Sequence, residues 1–340
     1  MTRIDWRADM TAWRNWRAWV LILGVLAVGQ PIRTIPSGAE NEDPKSTMPM
    51  GMEYIQGESV TVSLEDRPLV TYTHSPLEFG HPHFHPARTP AGHVLTNQAP
   101  WDHVWHCGLW FSWKLVNDFN VWEEPALPDG KTEIVPLSIE KVALAENVVS
   151  FSCAYQWRLR TGKPLLEGTV DVRIHQPEGD LYWIDLDYSF KGAEGDTVFS
   201  RVPYHPTDLV WGGYAGLSYR PIRDFVNPIL TSSNSKQGEE PAVMRWEPVR
   251  WLDLSGPLDG VREGWGGLCL MDHPSNPRHP VPANFHEPDW WNLRWMQLAF
   301  LYGEDYVLPE GESLDLKYRV VVHDGKADVD TFNRIWEAWE

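Results

Sequence analysis

The chain after residue 53 is dominated by runs in which apolar and polar residues alternate. These runs fill residues 59–74, 139–159, 165–192 and 312–325, and the first three segments are each split by a polar or proline-containing turn. Because successive side chains of a strand point to opposite faces of a sheet, each run predicts a half-buried β-strand. Short strands at regular spacing favour an all-β fold. We therefore expect one β-sandwich domain over residues 53–340.

The C-terminal segment has a different period. Val329, Phe332, Trp336 and Trp339 recur at the spacing of one helix face. The pattern predicts a short terminal helix that packs on the edge of the sheet.

The N-terminus is typical of an export signal. Four arginines precede an apolar run from Trp19 to Val28, and small residues follow near position 29. The run is shorter than the ~20 residues that a transmembrane helix needs. Residues 1–29 are therefore predicted to be a cleaved signal peptide, with an uncleaved anchor as the alternative, and residues 30–52 a disordered linker. The mature chain is expected to lack a membrane span and to be periplasmic or extracellular.

Net charge and cysteine content limit the partners and metal sites that the chain is expected to have. The formal net charge of −18 repels phosphate backbones and argues against a nucleic-acid partner. Three cysteines, Cys107, Cys153 and Cys269, match no zinc motif. They leave two alternatives open, namely one disulfide with a free thiol, or three buried thiols.

Residues 74–106 hold seven of the thirteen histidines. Histidine can be an acid–base group, a metal ligand or a polar core residue. His103 and His106 share a face only if the local backbone turns, and Asp102 could orient one of them. We predict that both histidines are catalytic and that His85 and Arg88 bind substrate. In the alternative, a divalent metal ion is held by His103, His106 and His83.

Tryptophan is the second chemical signal, since sixteen of the twenty lie after residue 29. Trp110 and Trp113 sit in an apolar run, Cys107 to Trp113, which predicts a buried strand. Trp290 and Trp291 lie in an irregular segment and are candidates to stack on a sugar ring.

Two further segments group polar residues. A predicted strand ends in four polar residues that could form the rim of a site: Asp272, His273, Asn276 and Arg278. Asp272 would be catalytic, and the other three would bind substrate. Tyr204 and His205 could form a proton-transfer pair, and Arg220 could bind substrate. An Asx-type turn is the alternative for the Asp272 segment.

Several motifs together resemble one bacterial family. HPARTPAG, DHVWHCGLWFSW, GLSYR, MDHPSNPRHPVP and YRVVVHDG follow in the order typical of the DUF6807 family, and the resemblance covers about residues 60–330. Cys107 takes the place of a second histidine that family members usually carry. Members are often named methane oxygenase PmoA, a multi-span membrane subunit, which a chain with one short apolar run does not fit. The resemblance implies a large antiparallel β-supersandwich similar to galactose mutarotase.

Proteins of that architecture commonly act on sugars, so the resemblance implies an exported carbohydrate-active lyase, hydrolase or epimerase, for example in polysaccharide degradation. His106 or His205 would be the base, Tyr204 the acid, and Arg220 or Arg278 would stabilise an enolate. A glycosidase would need two carboxylates, for which Asp102, Asp272 and Glu287 are candidates. A non-catalytic sugar-binding protein and a histidine-ligated metalloenzyme remain open alternatives.

Overall fold

The computed structural model of the protein describes residues 49–75, 77–145, 147–201, 215–239, 243–262, 264–286 and 294–339, which lie in one compact unit, Thr47–Glu340. The predicted signal peptide and most of the linker lie outside these residues. The first strand begins at Met50, slightly before the expected start of the domain. No helix within the described ranges is long and apolar enough to cross a membrane.

The described residues form these elements in chain order: β1 Met50–Ile55, β2 Ser59–Leu64, β3 Arg67–Thr73, β4 His83–Ala87, β5 Leu109–Trp113, β6 Leu115–Val116, β7 Phe119–Asn120, a 3₁₀ helix Glu124–Ala126, β8 Thr132–Ala145, β9 Val148–Leu159, β10 Pro164–His175, β11 Leu181–Gly192, β12 Thr197–Ser200, β13 Ala215–Tyr219, β14 Ile229–Ser232, β15 Pro248–Val249, β16 Trp251–Pro257, β17 Trp265–Asp272, β18 Val281–His286, β19 Trp295–Leu298, β20 Tyr306–Leu308, β21 Ser313–Asp324 and α1 Val329–Glu337.

Two large antiparallel sheets and one small sheet organise these strands. The order of the first is β1-β2-β3-β4-β5-β13-β19-β18-β15, and that of the second is β14-β16-β17-β21-β11-β10-β9-β8. A small sheet has the order β20-β12-β6-β7. The all-β class is thus confirmed. The alternating segments form β2–β3, β8–β9, β10–β11 and β21, as their pattern predicts.

The core lies between the two large sheets. Phe111 of β5 packs on Tyr188 and Phe190 of β11, with ring centroids 4.7 and 5.1 Å apart. Leu109, Phe111 and Trp113 of β5 all join this core cluster, which confirms the buried strand predicted there. Cys107, Cys153 and Cys269 are all buried free thiols, so the second alternative for the cysteines is the one observed.

The terminal helix forms as predicted, but its predicted place on a sheet edge is wrong. Its buried residues, Val329, Phe332 and Trp336, pack on the outer face of the second sheet, where β16, β17 and β21 expose a set of apolar side chains: Trp251, Cys269, Met271 and Val321. These strands are internal to the sheet. Their outward apolar side chains need cover, and α1 supplies it.

The outer face of the first sheet carries the candidate site. Registered positions on neighbouring strands place Trp110, Ser218, Gln297 and Asn284 in one row. This face is opposite to the one that meets the second sheet, because Leu109 and Phe111 alternate with Trp110. A separate buried cluster on this face consists of Trp110, Trp122, Trp295 and Cys107.

Candidate functional site

The loop before β5 is fixed by backbone contacts to β13. The amide of Asn97 donates to the carbonyl of Arg220 at 2.9 Å, and the amide of Arg220 donates to the carbonyl of Gly108 at 2.7 Å. Gly108 has a φ of +66°, and a Cβ there would lie 2.5 Å from the carbonyl oxygen of Phe84. Only glycine fits this close approach. The loop is therefore held against the first sheet beside Arg220.

Two consecutive turns bring His103 and His106 together. The amide of His103 donates to the carbonyl of Pro100, and that of His106 to the carbonyl of His103. The two imidazole rings stack at a centroid distance of 4.7 Å. His103 and His106 therefore share a face because the backbone turns between them, which was the condition stated in the sequence analysis.

Asp102 is the centre of a cluster of cations. Its Oδ2 accepts from Nδ1 of His103 at 3.0 Å and from Nη2 of Arg220 at 2.7 Å. Its Oδ1 accepts from Nη2 of Arg223. The Asp102 side chain is only 1% exposed, whereas that of Arg223 is 32% exposed. A buried carboxylate is thus held by two guanidinium groups and one imidazole.

The charges around Asp102 keep it ionised. Burial raises its pKa, but the hydrogen bond and charge of Arg220 and the hydrogen bond from His103 outweigh burial, so the pKa lies below its usual value. Burial and the charge of Arg220 lower the pKa of His103, against the opposing effect of Asp102. His103 is therefore neutral near pH 7.

The contact with Asp102 also fixes the tautomer of His103. A carboxylate can only accept, so the proton of the neutral ring is on Nδ1 and the lone pair is on Nε2. The His103 side chain is 21% exposed. This arrangement can remove a proton from a bound molecule, and Asp102 stabilises the imidazolium that forms.

His106 lies deeper than His103. It is buried against Trp110 at 5.0 Å and stacked on Trp295 at 5.9 Å. Nη1 of Arg220 donates to its Nδ1 at 3.3 Å. Burial, and then the charge of Arg220, place its pKa well below the usual value. The geometry makes His106 a neutral packing partner of His103, and its predicted catalytic role stays a prediction.

An open cleft of about 430 Å³ lies beside this cluster, and we call it the Arg223 cleft. Its lining is almost entirely polar: His85, Thr96, Asn97, Gln98, Ile222, Arg223 and Asp224. Nδ1 of His85 is 2.8 Å from the Thr96 hydroxyl, and burial followed by the charge of Arg88 lowers the pKa of His85. His85 thus lines the cleft and Arg88 does not, and the predicted substrate roles of both residues stay predictions.

An exposed tryptophan stands at the same place. Trp101 is 72% exposed, and the guanidinium of Arg223 lies 5.5 Å from its ring centroid. Large exposed aromatic faces stack on sugar rings and on other flat ligands. Trp101 therefore provides an exposed ring next to Arg223, one of the residues that line the cleft.

The predicted metal set is not formed. In the described part of the chain, no three His, Cys, Asp or Glu side chains are grouped to hold a metal ion. His83 uses Nδ1 for the carbonyl of His81 and Nε2 for Gln98, both at 2.7 Å. The rings of His103 and His106 are stacked, so their in-plane lone pairs do not converge on one ion.

The Asp272 segment forms a turn, but the Asx-type bond predicted as the alternative is not seen in it, because Pro274 has no N–H for Asp272 and Oδ1 of Asn276 accepts from the amide of Lys317. Asp272 is fully buried, accepts from Nδ2 of Asn276 at 2.8 Å and lies 2.6 Å from Nδ1 of His279. Nδ2 of Asn276 also donates to the carbonyl of Lys317. Burial raises the pKa of Asp272. These contacts tie the end of β17 to β21.

Arg278 and His273 are engaged in the same turn. Arg278 donates to the carbonyls of Phe300, Glu304 and Asp305, and Nδ1 of His273 is 2.7 Å from the Ser275 hydroxyl. The carbonyls occupy the guanidinium donors that a substrate would need. The predicted substrate roles of Arg278, His273 and Asn276 and the catalytic role of Asp272 stay predictions that the geometry does not favour.

Four predicted residues, Tyr204, His205, Trp290 and Trp291, lie outside the described residues, as does Glu287. Sequence reasoning missed Arg223, the residue that connects Asp102 to the cleft. Its only signal was its place three residues after Arg220 in a turn, and a single arginine there has no distinctive pattern.

Comparison with known proteins gives a family and no activity. No curated protein matches the chain. A solved structure titled "Crystal Structure Analysis of HI1317" is similar at 8% identity and a TM-score of 0.27, covering 82% of this chain and 100% of its own. The profile of the family of unknown function DUF6807 matches residues 59–337. The chain therefore belongs to the DUF6807 family.

Proposed function

We propose that the protein is a sugar-active enzyme that removes a proton from a carbon atom next to a carbonyl or carboxyl group. The Asp102–His103 pair beside the Arg223 cleft is the observation that carries this proposal. His103 is neutral, its Nε2 is the basic atom, and Asp102 is positioned to stabilise its protonated form. A base of this kind needs no further activation near pH 7.

The ligand class is proposed from the surroundings of the pair. The cleft offers amide, hydroxyl and guanidinium groups, and Trp101 offers an exposed ring. This combination suits a sugar, which has hydroxyls at its edge and an apolar face. The resemblance to the DUF6807 family implied the same ligand class, through the expectation of a fold similar to galactose mutarotase.

The proposed step transfers one proton from a substrate carbon to His103 and leaves the C–H electron pair on the substrate. Nε2 of His103 takes the proton from carbon, and the C–H electron pair delocalises into the adjacent carbonyl or carboxyl group as an enolate. Arg223 stabilises the negative charge. Return of a proton to the opposite face gives an epimer, and departure of a group from the next carbon gives an elimination product.

A two-carboxylate glycosidase is less well supported. Such enzymes need a proton-donating and a basic carboxyl group on either side of the scissile bond. Asp102 is paired with two arginines and Asp272 is fully buried in a turn. Among the described residues, neither of these two candidates is free for that role.

Deuterium exchange tests the proposal whichever product forms. The purified protein is incubated in D₂O with a panel of oxidised and uronate-containing oligosaccharides, and carbon-bound deuterium or an unsaturated product is measured by mass spectrometry. We expect turnover on at least one member and a ~100-fold or greater loss in His103→Gln. His175→Gln, on the outer face of the second sheet, is the matched control and should retain full rate. Equal rates for His103→Gln and wild type, or no product at high protein concentration, would refute the proposal.

A non-catalytic sugar-binding protein is the second candidate. The observation in its favour is the exposed Trp101 ring beside Arg223, since a ring and a guanidinium are groups that bind a sugar without reacting with it. Ligand affinity that persists in His103→Gln, together with a wild type that never turns over, would favour it.

Export is part of the proposal and rests on the N-terminal sequence. Mass spectrometry of the protein recovered from its native host should find a chain that begins near residue 30. An intact N-terminus on a protein recovered from the cytoplasm would contradict export.

A further inference from the structure

We infer that the ligand of the Arg223 cleft carries a carboxylate, so that the substrate class is a sugar acid. The inference rests on the proposed function for the location of the site and adds the charge of the ligand. It is carried by Arg223, which lines the cleft, and by two further arginines connected to it.

Arg220, Arg223 and Arg294 form one connected group. Arg220 and Arg223 both donate to Asp102, and Nη1 of Arg294 donates to the backbone carbonyl of Arg223 at 3.0 Å. Arg223 is the member that also lines the cleft. A guanidinium has five N–H donors in a planar fork, and the bond to Asp102 uses one of those of Arg223. The rest of the fork is available to a ligand, and its geometry suits a carboxylate.

Arg294 adds a buried positive charge to this group. It is only 8% exposed, and among the described residues no hydrogen-bond partner is found for its Nε. Burying a cationic donor in this way is costly. A negatively charged ligand bound to Arg223 would offset part of this cost.

The net charge around the cleft is positive, whereas the net charge of the whole chain is negative. The residues that line the cleft or connect to Asp102 through these bonds carry three positive and two negative charges, the latter from Asp102 and Asp224. The neighbouring histidines, His85 and His103, are neutral near pH 7. The whole chain carries −18. A local excess of one positive charge matches the single charge of a carboxylate better than a phosphate dianion.

Matched sugars isolate the contribution of the carboxylate. Calorimetry on the full chain compares D-glucuronate with D-glucose and D-galacturonate with D-galactose, with D-glucose 6-phosphate as a further probe. We expect at least one sugar acid to bind tenfold or more tightly than its neutral parent, and raised salt to reduce that difference. Arg223→Gln should abolish the preference for the sugar acid over its neutral parent, and unequal affinities that persist in this variant would contradict the role of Arg223. Arg334→Gln, on the exposed side of α1, is the control and should behave as wild type.

The outcomes separate the two proposals. Equal affinity for acid and neutral sugars would overturn the carboxylate inference and leave the sugar site standing. Tighter binding of the sugar phosphate than of both sugar acids would replace carboxylate with phosphate as the recognised group. No binding by any of the sugars would overturn both proposals. If Arg223→Gln fails to fold, as judged by circular dichroism, Arg223→Lys keeps the charge and removes the fork, and it should reduce the preference in part.

Discussion

At the scale of single residues, the candidate site around His103 and Arg223 depends on the ionised carboxylate of Asp102. Two guanidinium groups and His103 donate to it. Its removal would leave buried cations unpaired, and loss of one partner of a buried pair costs ~3–5 kcal/mol. Asp102 therefore both positions His103 and stabilises the loop.

Asp102→Asn should reveal this dependence through pH. Because the folded-state pKa of Asp102 is lowered, its stabilising effect is complete above the unfolded-state pKa of ~3.9 and is lost as pH falls through the folded value. We expect Asp102→Asn to lower the free energy of unfolding by ~3 kcal/mol at pH 7, and the difference from wild type to shrink as pH approaches 3. Urea unfolding of both proteins at each pH measures it, and acid effects common to both cancel. A difference that does not change with pH would contradict the assignment.

The sequence predicted part of this residue-scale picture. His103 and Asp102 were identified because their types and spacing suit an oriented base. Arg223 and Arg294 were not, since the bond of Arg223 to Asp102 and that of Arg294 to the Arg223 carbonyl depend on the packing of β13, β19 and the loop after β13. His106 was expected to be catalytic, but its burial beneath His103 follows from tryptophans distant in sequence, which the local pattern does not reveal.

At the scale of elements, alternation predicted the hairpins and the helical period predicted α1. The side on which α1 packs was wrong, because it is decided by the outward apolar side chains of β16, β17 and β21. Trp336 contributes both burial and a hydrogen bond to the contact between α1 and the sheet. It is 5% exposed, and its Nε1 donates to the carbonyl of Asp272 at 2.8 Å.

Trp336→Ala should therefore destabilise the protein by ~3–5 kcal/mol, the usual cost of deleting a buried large aromatic side chain. Trp336→Phe retains most of the apolar contact and removes the hydrogen bond, so we expect ~1 kcal/mol plus a smaller packing loss. Glu337→Ala on the exposed side should change stability by less than ~0.5 kcal/mol. Urea unfolding at pH 7 distinguishes the three, and a Trp336→Ala variant as stable as Glu337→Ala would contradict the packing of α1 on the sheet.

At the scale of the whole molecule, several histidines are buried in the neutral form. Burial lowers the pKa of His74, His81 and His83 from 6.5 to about 4. Unfolding exposes these groups, so below pH 6.5 these three histidines bind up to three more protons in the unfolded chain than in the folded chain. Stability is complete above the unfolded-state pKa of ~6.5 and is lost as pH falls toward the folded values.

The free energy of unfolding should accordingly fall between pH 7 and pH 5, and these three groups together should contribute a slope of up to ~4 kcal/mol per pH unit. His83→Gln removes one titrating group, and its slope should be shallower by up to ~1.4 kcal/mol per pH unit. Urea unfolding at pH 7, 6 and 5 measures both slopes. Stability that is constant over this range would show that these histidines are not buried as neutral groups.

The proposed function depends most on Asp102 and His103 forming a base beside a ligand cleft. Long-range ¹H–¹⁵N spectra of the histidine rings test this directly, with His103→Gln used to assign the His103 signals. We predict a neutral ring at pH 7 with the proton on Nδ1, and His103 signals that move on addition of D-glucuronate while those of His175 do not. A proton on Nε2, or His103 signals unchanged at a saturating sugar-acid concentration, would contradict it.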